Sequence, residues 1–263
     1  MRKKIYQSLI ELTNGPFTSN MIRKFALSKW SKYVIKPYSK FYAVNLDELK
    51  EDINQFKNLH SFFTRELKEG ARQIDNREGV IVSPVDGVLS DTGKIEKNKT
   101  IIVKNKEYSI LEMLGSEELT NRFIDGTYII LYLSPAHYHR IHSPISGKII
   151  SSYSLGSTSY PVNKIGLKYG DFVLSKNYRR ISYISHDNTS IAVIKVGAMF
   201  INSVVMLNDK EMWTKGEEVA YFSFGSTVIL LFEKDSFEVS PRIKAPMNIK
   251  MGEEIGKIRK APY

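Results

Sequence analysis

The chain has 263 residues, of which 42% are hydrophobic and 25% are charged, a composition typical of a globular protein with a packed core. It contains no cysteine, which excludes disulfides, thiolate metal sites and cysteine nucleophiles. No stretch approaches the roughly 20 apolar residues of a membrane-spanning helix, and the basic start is not followed by an apolar segment with a cleavage site. We therefore expect neither a transmembrane segment nor a removed signal peptide.

The net charge of +10 is concentrated near the N-terminus. Residues 1–50 hold ten Lys or Arg and three Asp or Glu, which places +7 of the total in the first fifth of the chain. Apolar and aromatic residues, Phe25 and Trp30 among them, are interspersed with these charges. This mixture is typical of helices that lie in the plane of a membrane interface, although an ordinary amphipathic helix packed on a domain also carries it.

The first predicted region is therefore a basic, amphipathic, helical membrane-association region over residues 1–70. We expect it to bind an anionic membrane surface and not nucleic acid, because nucleic-acid binding is supported by the charge alone. The expected location is peripheral, on the cytoplasmic side of the cell membrane. Within this region a helix is predicted from about Asn45, because Leu46, Leu49, Ile53 and Phe56 recur three or four residues apart.

From about residue 79 the sequence changes to short β-branched runs that glycines and polar turns separate. The sequence thus predicts an α+β protein, in which N-terminal membrane-facing helices precede a β-rich domain over residues 71–263. Two pairs of segments also resemble each other: residues 83–89 resemble 143–149, and residues 216–219 resemble 252–255. Similar turns recur between strands of unrelated origin, but we favour a duplicated β-hairpin unit, as in barrel-sandwich folds.

Three of the five histidines lie within six residues, at His137, His139 and His142. Because histidine changes charge near neutral pH, such a cluster suggests proton transfer or metal binding. In a strand, His137 and His139 would share one face. A zinc-dependent hydrolase using the three histidines is one interpretation, but it would need a further upstream histidine and an acid.

Two further motifs contain groups that can take part in catalysis. Asp86 lies in a Pro-x-Asp-Gly turn, where an acid usually serves the turn itself; beside a histidine it would suit the third member of a Ser-His-Asp relay. Gly225-Ser226-Thr227 interrupts apolar strand sequence, where a glycine often marks a bulge. Glycine also exposes its carbonyl, so that the hydroxyl of Ser226 could attack it with the help of a base.

These motifs occur in a recognisable order along the chain. Val85-Asp86-Gly87, the Tyr-His-Arg-Ile-His motif at 138–142 and the Phe-Gly-Ser-Thr-Val motif at 224–228 resemble those of the phosphatidylserine decarboxylase family, as does the segment 60–68. The resemblance covers residues 40 to 240, approximately. It implies a pyruvoyl-dependent lyase that converts phosphatidylserine to phosphatidylethanolamine and CO2.

The same resemblance implies how the enzyme matures. Asp86 would orient His142, and His142 would act as general base on Ser226, whose hydroxyl attacks the carbonyl of Gly225. Elimination and loss of ammonia would leave a pyruvoyl group derived from Ser226, which forms a Schiff base with the serine amine of phosphatidylserine. His139 would assist protonation or hold the carboxylate. No metal is implied.

Cleavage at Gly225–Ser226 would give a β chain of residues 1–225 and an α chain of residues 226–263, which remain together as a heterodimer. A dimer of such heterodimers is also expected to be possible. Three features depart from the family pattern. Phe224 replaces the usual leucine, His137 stands where the family often has an acid and has no assigned role, and a literal Leu-Gly-Ser-Thr occurs at 155–158.

The serine-rich run before this earlier motif predicts a flexible loop, so we assign the cleavage to Ser226 and not to Ser157. A non-enzymatic alternative is a lipoyl- or biotinyl-like binding module, which would need a modifiable lysine at a hairpin tip. Lys148 follows Gly147 but is predicted at the start of a strand.

Overall fold

The computed structural model describes residues 16–162, 164–198, 204–223 and 225–259. The α-helices in these ranges are α1 Pro16–Leu27, α2 Ile35–Tyr42, α3 Leu59–Phe63, α4 Ile110–Leu114, α5 Glu117–Asn121, α6 Lys164–Tyr169 and α7 Val173–Lys176. Two 3-10 helices cover Lys29–Val34 and Ile53–Gln55. None of the helices in the described ranges is long and apolar enough to cross a membrane.

The strands are β1 Val80–Val82, β2 Gly87–Lys94, β3 Thr100–Val103, β4 Lys106–Ser109, β5 Thr127–Leu133, β6 Arg140–His142, β7 Gly147–Leu155, β8 Arg179–His186, β9 Thr189–Gly197, β10 Val204–Met206, β11 Met212–Trp213, β12 Glu218–Phe222, β13 Ser226–Phe232, β14 Phe237–Val239, β15 Met247–Ile249 and β16 Glu254–Ile258. Helices therefore precede a β-rich body. The α+β class is confirmed.

The predicted helix from Asn45 is wrong, because the chain between residues 45 and 56 forms turns and the 3-10 helix Ile53–Gln55. Leu49 pairs with Leu67 in an isolated β-bridge, and the Asp52 side chain accepts a hydrogen bond from the amide of Asn54. The apolar spacing reflects burial of Leu49 and Phe56 in a small cluster with Ile35 and not a helical face. Tertiary packing here overrides the periodic pattern.

The body is built on an antiparallel eight-stranded sheet in the order β11-β7-β8-β9-β13-β5-β2-β15. Two apolar clusters cover its two faces, and α4, α6 and α7 contribute to the second. Strand β13 lies between β9 and β5, and all seven of its residues are buried. Its uninterrupted apolar sequence after Thr227 fits a strand that is covered on both faces.

Strand β7 also corrects a prediction. The serine-rich run 151–154, expected to be a flexible loop, belongs to this strand. Its exposure alternates residue by residue: Ser152 and Ser154 are exposed, whereas Ser151 and Tyr153 are half-buried. Serine is compatible with the exposed face of a half-buried strand, so the polar composition did not indicate a loop.

The segments that resemble each other in sequence occupy matching places in two smaller sheets, β1-β16-β14 and β10-β12-β6. We call β1, the turn 83–86 and β2, with the turn 250–253 and β16, the first hairpin unit. The second hairpin unit is β6, the turn 143–146 and β7, with the turn 214–217 and β12. In each unit the first strand pairs with the last, β1 with β16 and β6 with β12.

The hydrogen bonds of the two units match one to one. Ser83 Oγ donates to Val85 O at 2.7 Å, and Ser143 Oγ donates to Ile145 O at 2.6 Å. The amide of Gly252 donates to Ser83 O at 3.0 Å, as Gly216 does to Ser143 O at 2.8 Å.

The units are also joined to each other by reciprocal backbone bonds. The amide of Val82 donates to Pro144 O at 3.1 Å, and the amide of His142 donates to Pro84 O at 2.8 Å. Equivalent residues of the two units therefore face each other, which brings the turn that holds Asp86 to the backbone of His142.

Candidate active site

Ser226 is the first residue of the central strand β13. Its strand neighbours are Leu133 on β5 and Gly197 on β9. The residue is 0% exposed, and within the described part of the chain its Oγ has no hydrogen-bond partner. A buried hydroxyl without a partner is costly, so such a group in a native protein needs a functional explanation.

Residues 137–142, the histidine segment, follow β5, the strand that pairs with Ser226. Strand β12 precedes β13 in the chain, and residues 134–139 connect β5 to β6. Because β5 pairs with β13 and β6 pairs with β12, these two connections join the same pair of sheets. Where β12 ends, the amide of Phe222 donates to His139 O at 2.9 Å.

His139 is fully buried in this connection. Its Nδ1 lies 2.8 Å from His137 O, and since a carbonyl can only accept, Nδ1 carries the proton and Nε2 presents its lone pair. This Nε2 has no partner among the described residues, and the ring lies 3.9 Å from the ring of Phe63. Burial, and then the charge of Arg65, hold the pKa of His139 well below its usual range, so the imidazole is neutral.

His142 ends β6 and is also buried. Its Nδ1 donates to Gly216 O at 2.8 Å, and its Nε2 accepts from the Tyr138 hydroxyl at 3.1 Å. Burial lowers the pKa of His142, against the opposing effect of the bond to Gly216 O, and burial raises the pKa of Tyr138. The pair is therefore a neutral base capped by a neutral hydroxyl.

Asp86 is held by other partners. Its Oδ1 accepts from the amide of Met251 at 2.9 Å and from Arg72 Nε at 2.8 Å, and its Oδ2 accepts from the second edge of the same guanidinium. The structure does not join the Asp86 carboxylate to the His142 ring by a hydrogen bond. The two residues are linked through the backbone, by the bond from the His142 amide to Pro84 O.

A cavity of about 440 Å³ opens beside Asp86 and the start of the histidine segment; His139, His142 and Ser226 do not line it. Asp86, Arg72, His137, Tyr138 and Lys250 are among the residues that line it. His137 accepts a hydrogen bond from the amide of Ser134 through Nδ1 at 2.9 Å, and burial lowers its pKa. The cavity gives a small polar molecule access to the histidine segment.

Sequence reasoning missed two arginines and a tyrosine. Arg72 holds Asp86, Tyr138 caps His142, and Arg65 donates to Ala136 O at 2.7 Å and to His137 O at 2.8 Å. The sequence analysis gave neither arginine a role, and both are largely buried. Their only signal was position, inside or just after the segment 60–68 that resembles the family.

The earlier Gly-Ser-Thr motif lies in a different setting. Gly156 has φ +78°, a left-handed conformation that suits glycine, and Ser157 is exposed just after β7 ends. Ser226, in contrast, is buried and paired on both sides. The assignment of the cleavage to Ser226 stays a prediction that this contrast supports.

The geometry supports neither the zinc-dependent hydrolase nor the lipoyl- or biotinyl-like binding module. Among the residues that the structure describes, no group of three or more His, Asp or Glu is placed to hold a metal ion. The Nδ1 atoms of His137, His139 and His142 contact three different partners. Lys148 lies in β7 and pairs with Ser185 of β8, whereas a carrier module would require a lysine at a hairpin tip.

Comparison with known proteins agrees with the order of motifs. The sequence model of the family described as phosphatidylserine decarboxylase matches residues 59–257. Proteins named phosphatidylserine decarboxylase proenzyme from Bacillus cereus strain B4264 and Bacillus thuringiensis strain Al Hakam are each 51% identical to the chain over 255 residues, 97% of either length. This chain belongs to the phosphatidylserine decarboxylase family.

Proposed function

We propose that the chain is a proenzyme that cuts itself between Gly225 and Ser226 and then decarboxylates phosphatidylserine to phosphatidylethanolamine and CO2. The observation that carries the proposal is the Ser226 hydroxyl, which is fully buried at the start of β13 and has no hydrogen-bond partner among the described residues. Relatives named proenzymes, 51% identical over 97% of the chain, support the same conclusion.

The surroundings of the bond suit a self-cleaving peptide. β5 and β9 fix Ser226 on both sides, which limits the positions that its hydroxyl can take. A Cβ added to Gly225 would meet no described atom within 4 Å, so the described residues leave space beside its Cα. A pyruvoyl group derived from Ser226 would be held by the same strand pairing. When present it supplies the electron-withdrawing carbonyl for decarboxylation.

Self-cleavage begins as an N-to-O acyl shift at the Gly225–Ser226 bond. Ser226 Oγ loses its proton to a base and bonds to the carbonyl carbon of Gly225, and the C–N bond breaks with a proton moving to the nitrogen, which leaves an ester. In the elimination, a base takes the Cα proton of Ser226 as the Cβ–O bond breaks, which releases Gly225 as a carboxylate and leaves a dehydroalanine. Addition of water and loss of ammonia then convert this group to the pyruvoyl N-terminus.

His142 is the base we propose for this step, with Asp86 supporting it. The neutral state that burial favours is the state a base requires. To reach Ser226, Nε2 of His142 must exchange the Tyr138 hydroxyl for the serine hydroxyl, a change of partner within the buried site. His139, whose buried Nε2 also has no partner among the described residues, is proposed to assist protonation or to hold the substrate carboxylate.

We also propose that residues 1–70 place the enzyme on an anionic membrane, peripherally on the cytoplasmic side of the cell membrane. Met21, Phe25, Trp30, Tyr33 and Phe41 are exposed, and Trp30 and Phe41 reach 65% and 81%. The same segment also carries exposed lysines, at positions 24, 29, 32, 36 and 40. Exposed aromatic side chains next to lysines are the pattern of an interfacial segment.

Binding to vesicles tests this part. Trp30→Ser with Phe41→Ser should reduce sedimentation with phosphatidylglycerol vesicles, because it removes two of the three most exposed aromatic rings among the described residues. The matched control, Ile150→Ser with Met212→Ser, removes apolar groups that are 56% and 57% exposed on another part of the surface. Equal binding by the two double variants would contradict the proposal.

The β-rich domain over residues 71–263, which we propose to be of barrel-sandwich type with duplicated hairpins, would consist of two chains after cleavage. Strands β13, β15 and β16 of residues 226–263 pair with β5, β9, β2 and β1 of residues 1–225. We expect the α and β chains to stay together as a heterodimer, and a dimer of heterodimers is the largest assembly we propose.

Intact mass spectrometry tests the central proposal. The purified protein should separate in denaturant into pieces of 225 and 38 residues, and Ser226→Ala should remain a single 30.1 kDa chain. Ser157→Ala should be cut normally; a 107-residue piece would assign the cleavage to Ser157 instead. Release of CO2 from phosphatidylserine vesicles, but not from free serine, would establish the lipid substrate.

A further inference from the structure

We propose that Arg72 is a positioning residue for self-cleavage, which holds the Asp86 carboxylate in place through both edges of its guanidinium. The inference rests on the proposed function, because it assigns a role within the cleavage at Gly225–Ser226. Arg72 lies outside the two hairpin units, in the segment that leads from α3 to β1.

The contact between Arg72 and Asp86 is buried and two-pronged. The side chains are 6% and 9% exposed. Arg72 Nε donates to Asp86 Oδ1 at 2.8 Å, and Arg72 Nη2 donates to Asp86 Oδ2. The remaining nitrogen, Nη1, donates to Ala71 O at 2.7 Å. A guanidinium that meets both oxygens of a carboxylate fixes its plane as well as its position.

The second hairpin unit supplies an internal comparison. At the position equivalent to Asp86 it has Ser146, whose Oγ accepts from the amide of Lys215 at 2.9 Å. Asp86 Oδ1 accepts from the equivalent amide, that of Met251, also at 2.9 Å. A neutral serine therefore satisfies the turn, so neither a carboxylate nor its arginine is needed for the hairpin.

A charge that the fold does not require is costly to bury, and is retained only when paired. Arg72 pairs with Asp86 and also with a second carboxylate. Its Nη2 lies 2.8 Å from Glu48 Oε2, and Glu48 Oε1 lies 3.1 Å from Lys250 Nζ. The network joins the N-terminal region to two residues of the proposed α chain, Lys250 and Met251.

The position of Asp86 thus depends on segments on both sides of the cleavage site. Because Arg72 occupies both carboxylate oxygens, it decides where the negative charge lies relative to His142, whose backbone is bonded two residues away at Pro84 O. Without the guanidinium, the carboxylate would keep the Met251 amide alone and could turn away from the histidine.

The test compares Arg72→Met with Arg77→Met in the full chain, made by cell-free synthesis and followed by the loss of the uncut 30.1 kDa species. Arg77 is the matched control because it also bridges two carboxylates on either side of the cleavage site, Asp75 and Glu254, but does not touch Asp86. We expect Arg72→Met to slow cleavage by about 100-fold, within the range for a group that supports an acid–base step, and Arg77→Met to change it by less than about twofold.

Arg72→Lys should be cut roughly tenfold more slowly than the wild type, since it restores the charge without the two-edge contact. If Arg72→Met fails to fold, Arg72→Lys decides: a folded lysine variant cut at the wild-type rate would overturn the proposal. In an Asp86→Asn background, Arg72→Met should have no additional effect, whereas a merely structural arginine would slow both backgrounds equally.

Two outcomes separate this inference from the proposed function. A wild-type chain that stays uncut would overturn both. A wild-type chain that is cut, with Arg72→Met cut as fast or Arg77→Met slowed as much, would overturn the role of Arg72 alone.

Discussion

The first and second hairpin units form equivalent backbone hydrogen bonds, and two of the positions at which their side chains differ hold residues of the proposed site. Asp86 of the first unit corresponds to Ser146 of the second, and Val82 of the first corresponds to His142 of the second. Each unit therefore shows what the other would look like without its ionisable group. The fold is made with serine and valine at these positions, so the aspartate and the histidine are present for another reason.

The way the units meet explains why one group comes from each. The reciprocal bonds from Val82 to Pro144 O and from His142 to Pro84 O place equivalent backbones face to face. A residue of one turn then lies close to the end of the first strand of the other unit. Two identical units would give two equivalent half-sites; different substitutions in the two units give one site with an acid and a base.

The largest effect should follow from exchanging each group for its counterpart. Asp86→Ser and His142→Val copy what the other unit has at that position, so both variants should fold. We expect His142→Val to slow self-cleavage by about 10²–10⁴-fold, since it removes the proposed base, and Asp86→Ser by at least about 10²-fold. Mass spectrometry of the nascent chain over time measures both rates.

Ser146→Asp is the control for this exchange. Ser146 is exposed, and its replacement puts an acid into the second unit without touching the proposed site. Cleavage should stay within about twofold of the wild-type rate, as expected for a surface change. Normal cleavage of both Asp86→Ser and His142→Val would show that the two units differ for reasons unrelated to maturation.

The second prediction concerns how the rate of self-cleavage depends on pH, which tests whether Asp86 of the first unit affects His142 of the second. Burial lowers the pKa of His142 from 6.5, so its neutral form persists as the pH falls below that value. The cleavage rate should therefore be constant down to pH 6.5 and decrease only at lower pH. The charge of Asp86 acts in the opposite direction and raises this pKa, so the remaining cleavage of Asp86→Ser should decrease at a still lower pH than that of the wild type.

Quenched samples of the precursor taken between pH 4.5 and 8, with circular dichroism to confirm folding at each pH, provide both profiles. A rate that begins to decrease above pH 6.5 would contradict a neutral, buried His142 as the base. Identical profiles for the wild type and Asp86→Ser would show that the first unit exerts no electrostatic effect on the second.

Much of this arrangement is readable from the sequence, but the contacts that complete it are not. The similar sequences at 83–89 and 143–149 indicated two similar turns, because a Ser-Pro-x-x-Gly sequence favours the same local geometry wherever it occurs. The partners of Asp86 were not predictable, since Arg72 comes from a segment without any periodic signal. The hydrogen bond from His142 Nδ1 to Gly216 O was also not predictable, because a backbone carbonyl is present in every residue and so gives no sequence signal.

The same limit explains the wrong helix after Asn45. Its spacing of apolar residues was real, but Leu49 and Phe56 are buried from turns and a short 3-10 helix. Periodicity records which residues are buried and only indirectly how the backbone reaches them. Residues 151–154 show the opposite error. Their polar composition predicted a loop, but they form part of β7 and their side chains alternate between its two faces.

A smaller effect concerns the turn glycines, Gly252 in the first unit and Gly216 in the second. Both have positive φ, +90° and +79°, so alanine at either position would be strained by about 1–2 kcal/mol. A Cβ at Gly252 would lie 2.3 Å from the backbone oxygen of Gln73, whereas at Gly216 it would lie 2.3 Å from the tip of the Ile74 side chain, which can move.

Gly252→Ala should therefore lower the free energy of unfolding more than Gly216→Ala, by roughly 1 kcal/mol or more. Urea unfolding in the uncut Ser226→Ala background measures both, because a single chain is then unfolded. A larger loss for Gly216→Ala would mean that the packing around the two turns is not as the fold places it.

The smallest effect tests whether the scaffolds are equivalent where the functional side chains are not involved. Ser83 and Ser143 are both fully buried, and each donates its hydroxyl to a carbonyl two residues on. Replacing either by alanine leaves that carbonyl without its partner, which should cost about 1–2 kcal/mol in the free energy of unfolding. The two costs should agree within about 0.5 kcal/mol, because the surrounding bonds match.

These two alanine variants differ from the exchange of Asp86 and His142 in one decisive respect. Neither removes a group of the proposed site, so with Ser226 in place both should be cut at close to the wild-type rate. Equal losses of stability with normal cleavage would separate the common scaffold from the chemistry it holds. A cost confined to Ser143→Ala would indicate instead that the Arg72 network holds the first unit without the Ser83 bond, whereas the second unit depends on its own turn.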